Sequence, residues 1–232
     1  MATPKALLFD FGGTLDDDGR PWLDRLRPLW REAGAGQPDP VLDRAFYDAD
    51  DNLPARHDLA GLDLAATVAL QCADTGRVLL PRDPDAAARV ARRYVAQSRA
   101  TLARNKPVLE RLARRFKLGV VSNFYGNLEG ILAAEGLLPL FGAVADSGRV
   151  GVEKPEPAIF EWALARLGVP ASEAWMVGDS LKRDMAGAER LGMGHVWLAG
   201  PAPKAPPCCP DARVLSSLTG LESLLAPAEA AR

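Results

Sequence analysis

Three short apolar segments in this chain each end on a side chain that can do chemistry, and helical patterns separate them. Residues 5–10 (KALLFD) run into the turn Gly12-Gly13, residues 117–122 (KLGVVS) end on a hydroxyl, and residues 174–179 (AWMVGD) end on a second acid. A fourth such segment is 194–198 (GHVWL). Each is short and bounded by Gly or polar residues, as strands buried on both faces are. Helical patterns over 107–116, 128–135, 158–167 and 182–191 lie between them. Strand alternating with helix makes βαβ units, so the sequence predicts an α/β fold with a doubly wound parallel sheet. Ligands of such sheets gather at the carboxyl ends of the strands, which directs attention to Asp10, Ser122 and Asp179.

Residues 16–105 hold no convincing strand. Periodicity predicts helices over 21–33 and 62–73, and Asp39-Pro40 and Asp83-Pro84 each read as an N-cap acid before a Pro at the first helical position. A stretch of that length is not a surface loop. The expected organisation is a core of residues 1–15 and 106–232, and an α-helical cap of residues 16–105 seated over the strand ends. The Pro-rich stretch 200–210 (GPAPKAPPCCP) reads as an extended connection to a short strand near 212–214 and a helix over 218–225.

Composition excludes several classes of partner. With 28 Lys+Arg against 30 Asp+Glu, both signs interspersed, there is no basic surplus for nucleic acid. No apolar run approaches the roughly 20 residues of a membrane span, and no signal-peptide pattern opens the chain, so a cytoplasmic protein is expected. Three Cys, with Cys208 and Cys209 adjacent, is an odd number without zinc-ligand spacing, which predicts reduced thiols. A monomer or homodimer acting on a small molecule fits this composition.

The strand-end residues suit anion chemistry. Asp10 can serve as a nucleophile toward phosphorus or carbon, or simply cap the following turn. With Asp179 and Asp184 it offers hard oxygen ligands of the kind Mg²⁺ takes. Ser122 offers a hydroxyl donor and Lys154 a compact cation, the groups that hold a phosphoryl group and offset its charge. Pro155 and Pro157 fix the backbone before a helix, placing Lys154 near a positive N-terminus.

Taken in order, LLFDFGGTLD (7–16), VVSNF (120–124), EKPEPAIF (153–160) and VGDSLKRDMAGA (177–188) resemble the four motifs of the haloacid dehalogenase (HAD) superfamily. The resemblance covers nearly the whole chain, with the helical cap between the first and second motifs. It implies Asp179 as a direct Mg²⁺ ligand, Asp184 in support and the Gly12 backbone carbonyl as another oxygen. It also implies Ser122, Asn123 and Lys154 as the phosphate-binding group.

One position departs from the pattern. In the phosphatases of this superfamily the second Asp of the first motif protonates the leaving group and later activates water; here that position is Gly12. General acid–base catalysis contributes roughly 10²–10⁴-fold, so the loss costs about 3–5 kcal/mol of barrier unless replaced. A good leaving group, a group from the cap, or an acid of the run Asp16-Asp17-Asp18 could replace it, although that run also reads as a solvated hinge. Phosphonatases also lack the second Asp, but their resemblance demands a Schiff-base lysine in the cap, and no Lys occurs between Lys5 and Lys106. The 2-haloacid dehalogenases lack it too and need no metal; Ser122-Asn123 suits them, whereas Gly178-Asp179 and the GGTL ending of the first motif do not.

The expected function is therefore a Mg²⁺-dependent phosphohydrolase acting through an aspartyl-phosphate on Asp10. The alternatives are a dehalogenase-like hydrolase and a non-catalytic module that binds a phosphate ligand. Arg20 and His57 are the candidate substrate contacts from the cap, with a surface histidine the plainer reading of His57. Trp22 and Trp30 read as cap core, and the arginines of residues 88–104 as a solvated face.

Overall fold

The computed structural model describes residues 3–200 and 213–226. Cys208, Cys209 and all but the first residue of the Pro-rich stretch lie outside the described residues. In chain order the elements begin with β1 (Ala6–Phe9) and five helices, α1 (Trp22–Glu32), α2 (Asp39–Asp51), α3 (Leu53–Arg56), α4 (Leu64–Leu79) and α5 (Pro84–Ala113). Then come β2 (Lys117–Ser122), α6 (Leu128–Ala134), β3 (Ala143–Asp146), α7 (Ser147–Val150), α8 (Pro157–Leu167) and β4 (Ala174–Gly178). After a π-helical turn, Leu181–Met185, follow α9 (Ala186–Arg190), β5 (Gly194–Leu198), β6 (Arg213–Leu215) and α10 (Leu221–Leu224).

The strands form one six-stranded sheet in the order β3-β2-β1-β4-β5-β6, every pair parallel. β1 lies between β2 and β4, with Phe9 level with Val120 and Val177. The chain therefore leaves the sheet at Asp10 beside the carboxyl ends of both neighbours. Alternation along β1 divides the core. Leu7 and Phe9 join an apolar cluster that runs through Phe11, Trp22 and Leu26 to Tyr94 and Leu109, while Ala6 and Leu8 pack on the other face with Ile159, Phe160 and Met176.

Four expectations need correction. β3 was not foreseen: AVAD is four residues long with two alanines, and it carries little of the β-branched signal that marks a strand. The expected break near residue 106 is absent, because α5 runs unbroken for 30 residues with Pro107 inside it. An interior proline removes a helical hydrogen bond, yet buried Leu102 and Asn105 before it and Val108, Leu109 and Leu112 after it hold the helix to the core. Asp83 does cap α5, accepting from the Ala86 amide at 3.1 Å, whereas Asp39 is already inside α2 and pairs with Arg31.

The acid run after the first motif is the fourth correction. Asp16 and Asp17 are buried rather than a solvated hinge, at 0% and 3% exposure. Asp16 accepts from the Gly13 amide (2.7 Å), Trp22 Nε1 (3.0 Å), Arg25 (2.7 Å) and Ser98 Oγ (3.1 Å). Arg25 is itself buried; it also donates to Tyr94 and Ser98 of α5 and lies over the Tyr94 ring. A buried arginine on α1 thus supplies the charge that lets the acid leave water, and the network ties the loop after β1 to two helices of the insertion.

Cys72 of α4 is buried and free, and burial pushes its thiol up to about 12, so it packs as an inert apolar group. Among the described residues no helix is long and apolar enough to cross a membrane.

Breaking a buried ion pair by removing one partner strands the other charge. Arg25→Met is expected to lower the stability of the chain by about 3–5 kcal/mol, read as a fall in the urea midpoint at unchanged slope.

Candidate active site

Asp10 follows the central strand and is 7% exposed. Its backbone amide donates to Val177 O at 3.0 Å, which extends the ladder by one residue and fixes where the side chain starts. Ser122, the last residue of β2, donates from Oγ to Asp10 Oδ1 at 2.8 Å, and Lys154 Nζ donates to the same oxygen at 2.7 Å. Lys154 also reaches Asp184 Oδ1 at 2.7 Å. Burial alone would depress the Lys154 ammonium, but the charges of Asp10 and Asp184 outweigh it and hold its pKa above the ordinary value.

Asn123 sets the position of that lysine. Its Oδ1 accepts from the Lys154 amide at 2.7 Å and its Nδ2 donates to the Lys154 carbonyl at 3.1 Å, so one side chain clamps the backbone on both sides. Pro157 begins α8 three residues further on.

Asp10, Asp179 and Asp184 each bring one carboxylate oxygen within 4.8 Å of the others. Asp184 is fully buried, and its Oδ2 accepts from the Ser180 amide at 2.9 Å. Burial, then the charges of Asp10 and Asp184, push the Asp179 carboxyl well above the usual carboxylate range. A group that resists ionisation for want of positive charge is what a bound cation would relieve. Three hard oxygen donors at this spacing fit a divalent cation of the Mg²⁺ type, with Asp10, Asp179 and Asp184 the residues that would hold it. Gly13 keeps the approach open: its φ is +86° and a Cβ there would fall 2.7 Å from Asp179 Oδ2.

A cavity of about 130 Å³ opens onto Asp10, Ser122 and Lys154. Gly12, Trp22, Asp50, Tyr125 and Arg183 are also on its wall. A Cβ added to Gly12 would lie 3.0 Å from Trp22 Nε1, so an indole fills the space that a side chain at position 12 would take. Trp22 is therefore a wall of the site and not only core of the insertion, while Trp30 is core, at 1% exposure.

The structure brings together Asp10, Gly12, Ser122, Asn123, Lys154, Asp179 and Asp184, and leaves two expected residues out. Arg20 turns away, donating to both carboxylate oxygens of Asp17 at 2.9 Å, because a buried acid in its own loop captures the guanidinium. His57 lies 2.9 Å from Asp74 Oδ2 on α4 and is not on the cavity wall. Asp50 and Tyr125 were missed. Asp50 falls in a run of surface-like acids on α2, and nothing in its spacing marks it; Tyr125 directly follows the VVSNF motif, which was a usable signal.

A model of the haloacid dehalogenase-like hydrolases matches residues 4–192. The chain belongs to that family. It is 42% identical over 110 residues to haloacid dehalogenase-like hydrolase domain-containing protein 3 of Danio rerio, covering 47% of this chain and 46% of the relative. It is 43% identical over 84 residues to a phosphoserine phosphatase of Thermus thermophilus, covering 36% and 34%. These matches span less than half the length of either relative. Among solved structures it resembles a 2-haloacid dehalogenase of Pseudomonas syringae, with a TM-score of 0.53, 27% identity and coverage of 96% and 98%.

Gly13→Ala puts a Cβ against Asp179 and a non-glycine residue at positive φ, a strain of roughly 1–3 kcal/mol. Addition of Mg²⁺ is expected to raise the thermal midpoint of the wild type and to leave that of Gly13→Ala unchanged.

Proposed function

We propose that the chain is a Mg²⁺-dependent phosphohydrolase acting on a small phosphate monoester through an aspartyl-phosphate on Asp10, with residues 16–105 forming a cap over the site. The observation that carries the reading is Asp10 itself: a carboxylate at the end of the central strand, oriented by Ser122 and Lys154 and within 4.8 Å of two further acids. A dehalogenase that attacks carbon and releases halide needs no metal, and so has no need of Asp179 as a metal ligand. That separates this reading from the dehalogenase reading, which the Pseudomonas syringae similarity favours.

The chain's own residues divide the work. Both donors fall on Asp10 Oδ1, so the carboxylate is fixed in rotation before substrate arrives. Its attack on phosphorus expels the ester oxygen and forms the acyl phosphate. Ser122 and Lys154 offer an O–H and an ammonium at the place where the phosphoryl oxygens gather charge. A bound Mg²⁺ supplies further charge neutralisation for the phosphoryl group. Water then attacks phosphorus and the bond to Asp10 breaks, returning the carboxylate and releasing phosphate. A cavity of about 130 Å³ suits a small leaving group. Phosphoserine belongs in the test panel because of the Thermus thermophilus relative.

Wild-type protein is expected to hydrolyse an aryl phosphate with Mg²⁺, to stop in chelator, and to fall to background as Asp10→Asn. Chloride release from 2-chloropropionate in chelator, with aryl phosphate untouched, would establish the dehalogenase instead. Metal-dependent phosphate binding without turnover of any ester would establish a binding module.

A further inference from the structure

Position 12 cannot donate a proton, and the loop behind it cannot do so either. The indole of Trp22 fills the space beside Gly12. Asp16 is ion-paired to Arg25 and accepts further hydrogen bonds from Gly13, Trp22, Tyr94 and Ser98, so its oxygens are engaged away from the cavity. Asp17 is paired with Arg20 and Arg25, and Asp18 with Arg104. The cavity wall carries two carboxylates, and one of them, Asp10, is the nucleophile. The other is Asp50, near the end of α2.

We propose that Asp50, carried into the cavity by α2 of the helical insertion, is the proton donor and acceptor that the residue-12 position lacks. The proposal rests on the phosphohydrolase reading. Tyr125, which follows β2, donates its hydroxyl to Asp50 Oδ1, and Gln71 of α4 approaches the same oxygen at 3.5 Å. Oδ2 accepts no hydrogen bond among the described residues. Tyr125 stays a donor, since burial and then the charge of Asp50 hold its phenol well above the usual range. The sheet side of the site thereby orients an acid that belongs to the insertion.

The surroundings of Asp50 favour its protonated form. Burial, reinforced by the neighbouring charge of Asp51, raises its pKa, against the opposing effects of Tyr125, Arg183 and Gln71. The charged or polar groups that act on it most strongly are Asp51 from its own helix, Gln71 from α4, Tyr125 from the loop after β2, and Arg183 from the π-helical turn after β4.

The proton balance closes over the two steps. As Asp10 bonds to phosphorus, the electron pair of the breaking ester bond goes to the leaving oxygen, which takes the proton of Asp50 and departs as an alcohol. Asp50, now a carboxylate, takes a proton from the water that attacks phosphorus, and the electron pair of the acyl-phosphate bond returns to Asp10. Phosphate leaves and Asp50 is protonated again.

The test compares wild type with Asp50→Asn, which is isosteric, on glycerol phosphate and on p-nitrophenyl phosphate with Mg²⁺. Glycerol phosphate turnover is expected to fall by about 10²–10⁴-fold. Nitrophenolate needs no proton to leave, so the variant is expected to release one equivalent in a burst and then stall as a trapped phosphoenzyme. Wild-type kcat/KM for glycerol phosphate is expected to decline as pH rises through the Asp50 pKa. In Tyr125→Phe, which removes a hydrogen bond that lowers that pKa, the decline is expected to move to higher pH. Near-wild-type turnover of both esters by Asp50→Asn, or a raised KM with kcat and the absence of a burst unchanged, overturns the assignment of Asp50 alone. A wild type that hydrolyses no phosphate ester overturns both this assignment and the phosphohydrolase reading.

Discussion

A buried ammonium joins the parts of the site. Lys154 bonds Asp10 at the end of β1 and Asp184 in the turn after β4, and its backbone is clamped by Asn123 just past β2. Three segments far apart in sequence thus meet on one side chain. Taking ions out of water costs several kcal/mol each, so a 4%-exposed lysine persists only because two carboxylates surround it. The same carboxylates leave an excess of negative charge when Asp179 is included. One ammonium therefore stabilises the cluster without neutralising it, and the remaining charge favours a divalent cation there.

A second buried pair governs how the insertion meets this cluster. Arg25 and Asp16 fix α1 against the loop after β1, and Asp16 also holds the Trp22 indole, with a 3.0 Å bond to Nε1. Through that bond the indole takes the space beside Gly12. Beside the position where the first motif lacks its second acid, Trp22, Arg25 and Asp16 occupy the region together. Four hydrogen bonds of that network reach α5, from Arg25 to Tyr94 and Ser98 and from those two hydroxyls to Asp16.

Much of this was legible in the sequence where short-range pattern and side-chain chemistry agree. Asp10, Ser122, Asp179 and Asp184 sit at or just past strand ends, and such ends are visible as apolar runs stopping at a polar residue. β3 was invisible because its four residues carry little strand signal of their own and owe their form to pairing with β2. Pro107 misled because helix propensity is local, while the packing that overrides it involves residues on both sides of the proline. Arg20 and His57 looked available because the acids that capture them, Asp17 and Asp74, could not be assigned as partners without coordinates.

Asp50 illustrates a different limit. In the sequence it is one acid in a run that also contains Asp48 and Asp51, and helical periodicity alone does not say which of them faces inward. What distinguishes it is Tyr125, 75 residues away, which donates to it across the gap between the insertion and the sheet. A side chain on the insertion thereby becomes part of the wall that holds the nucleophile.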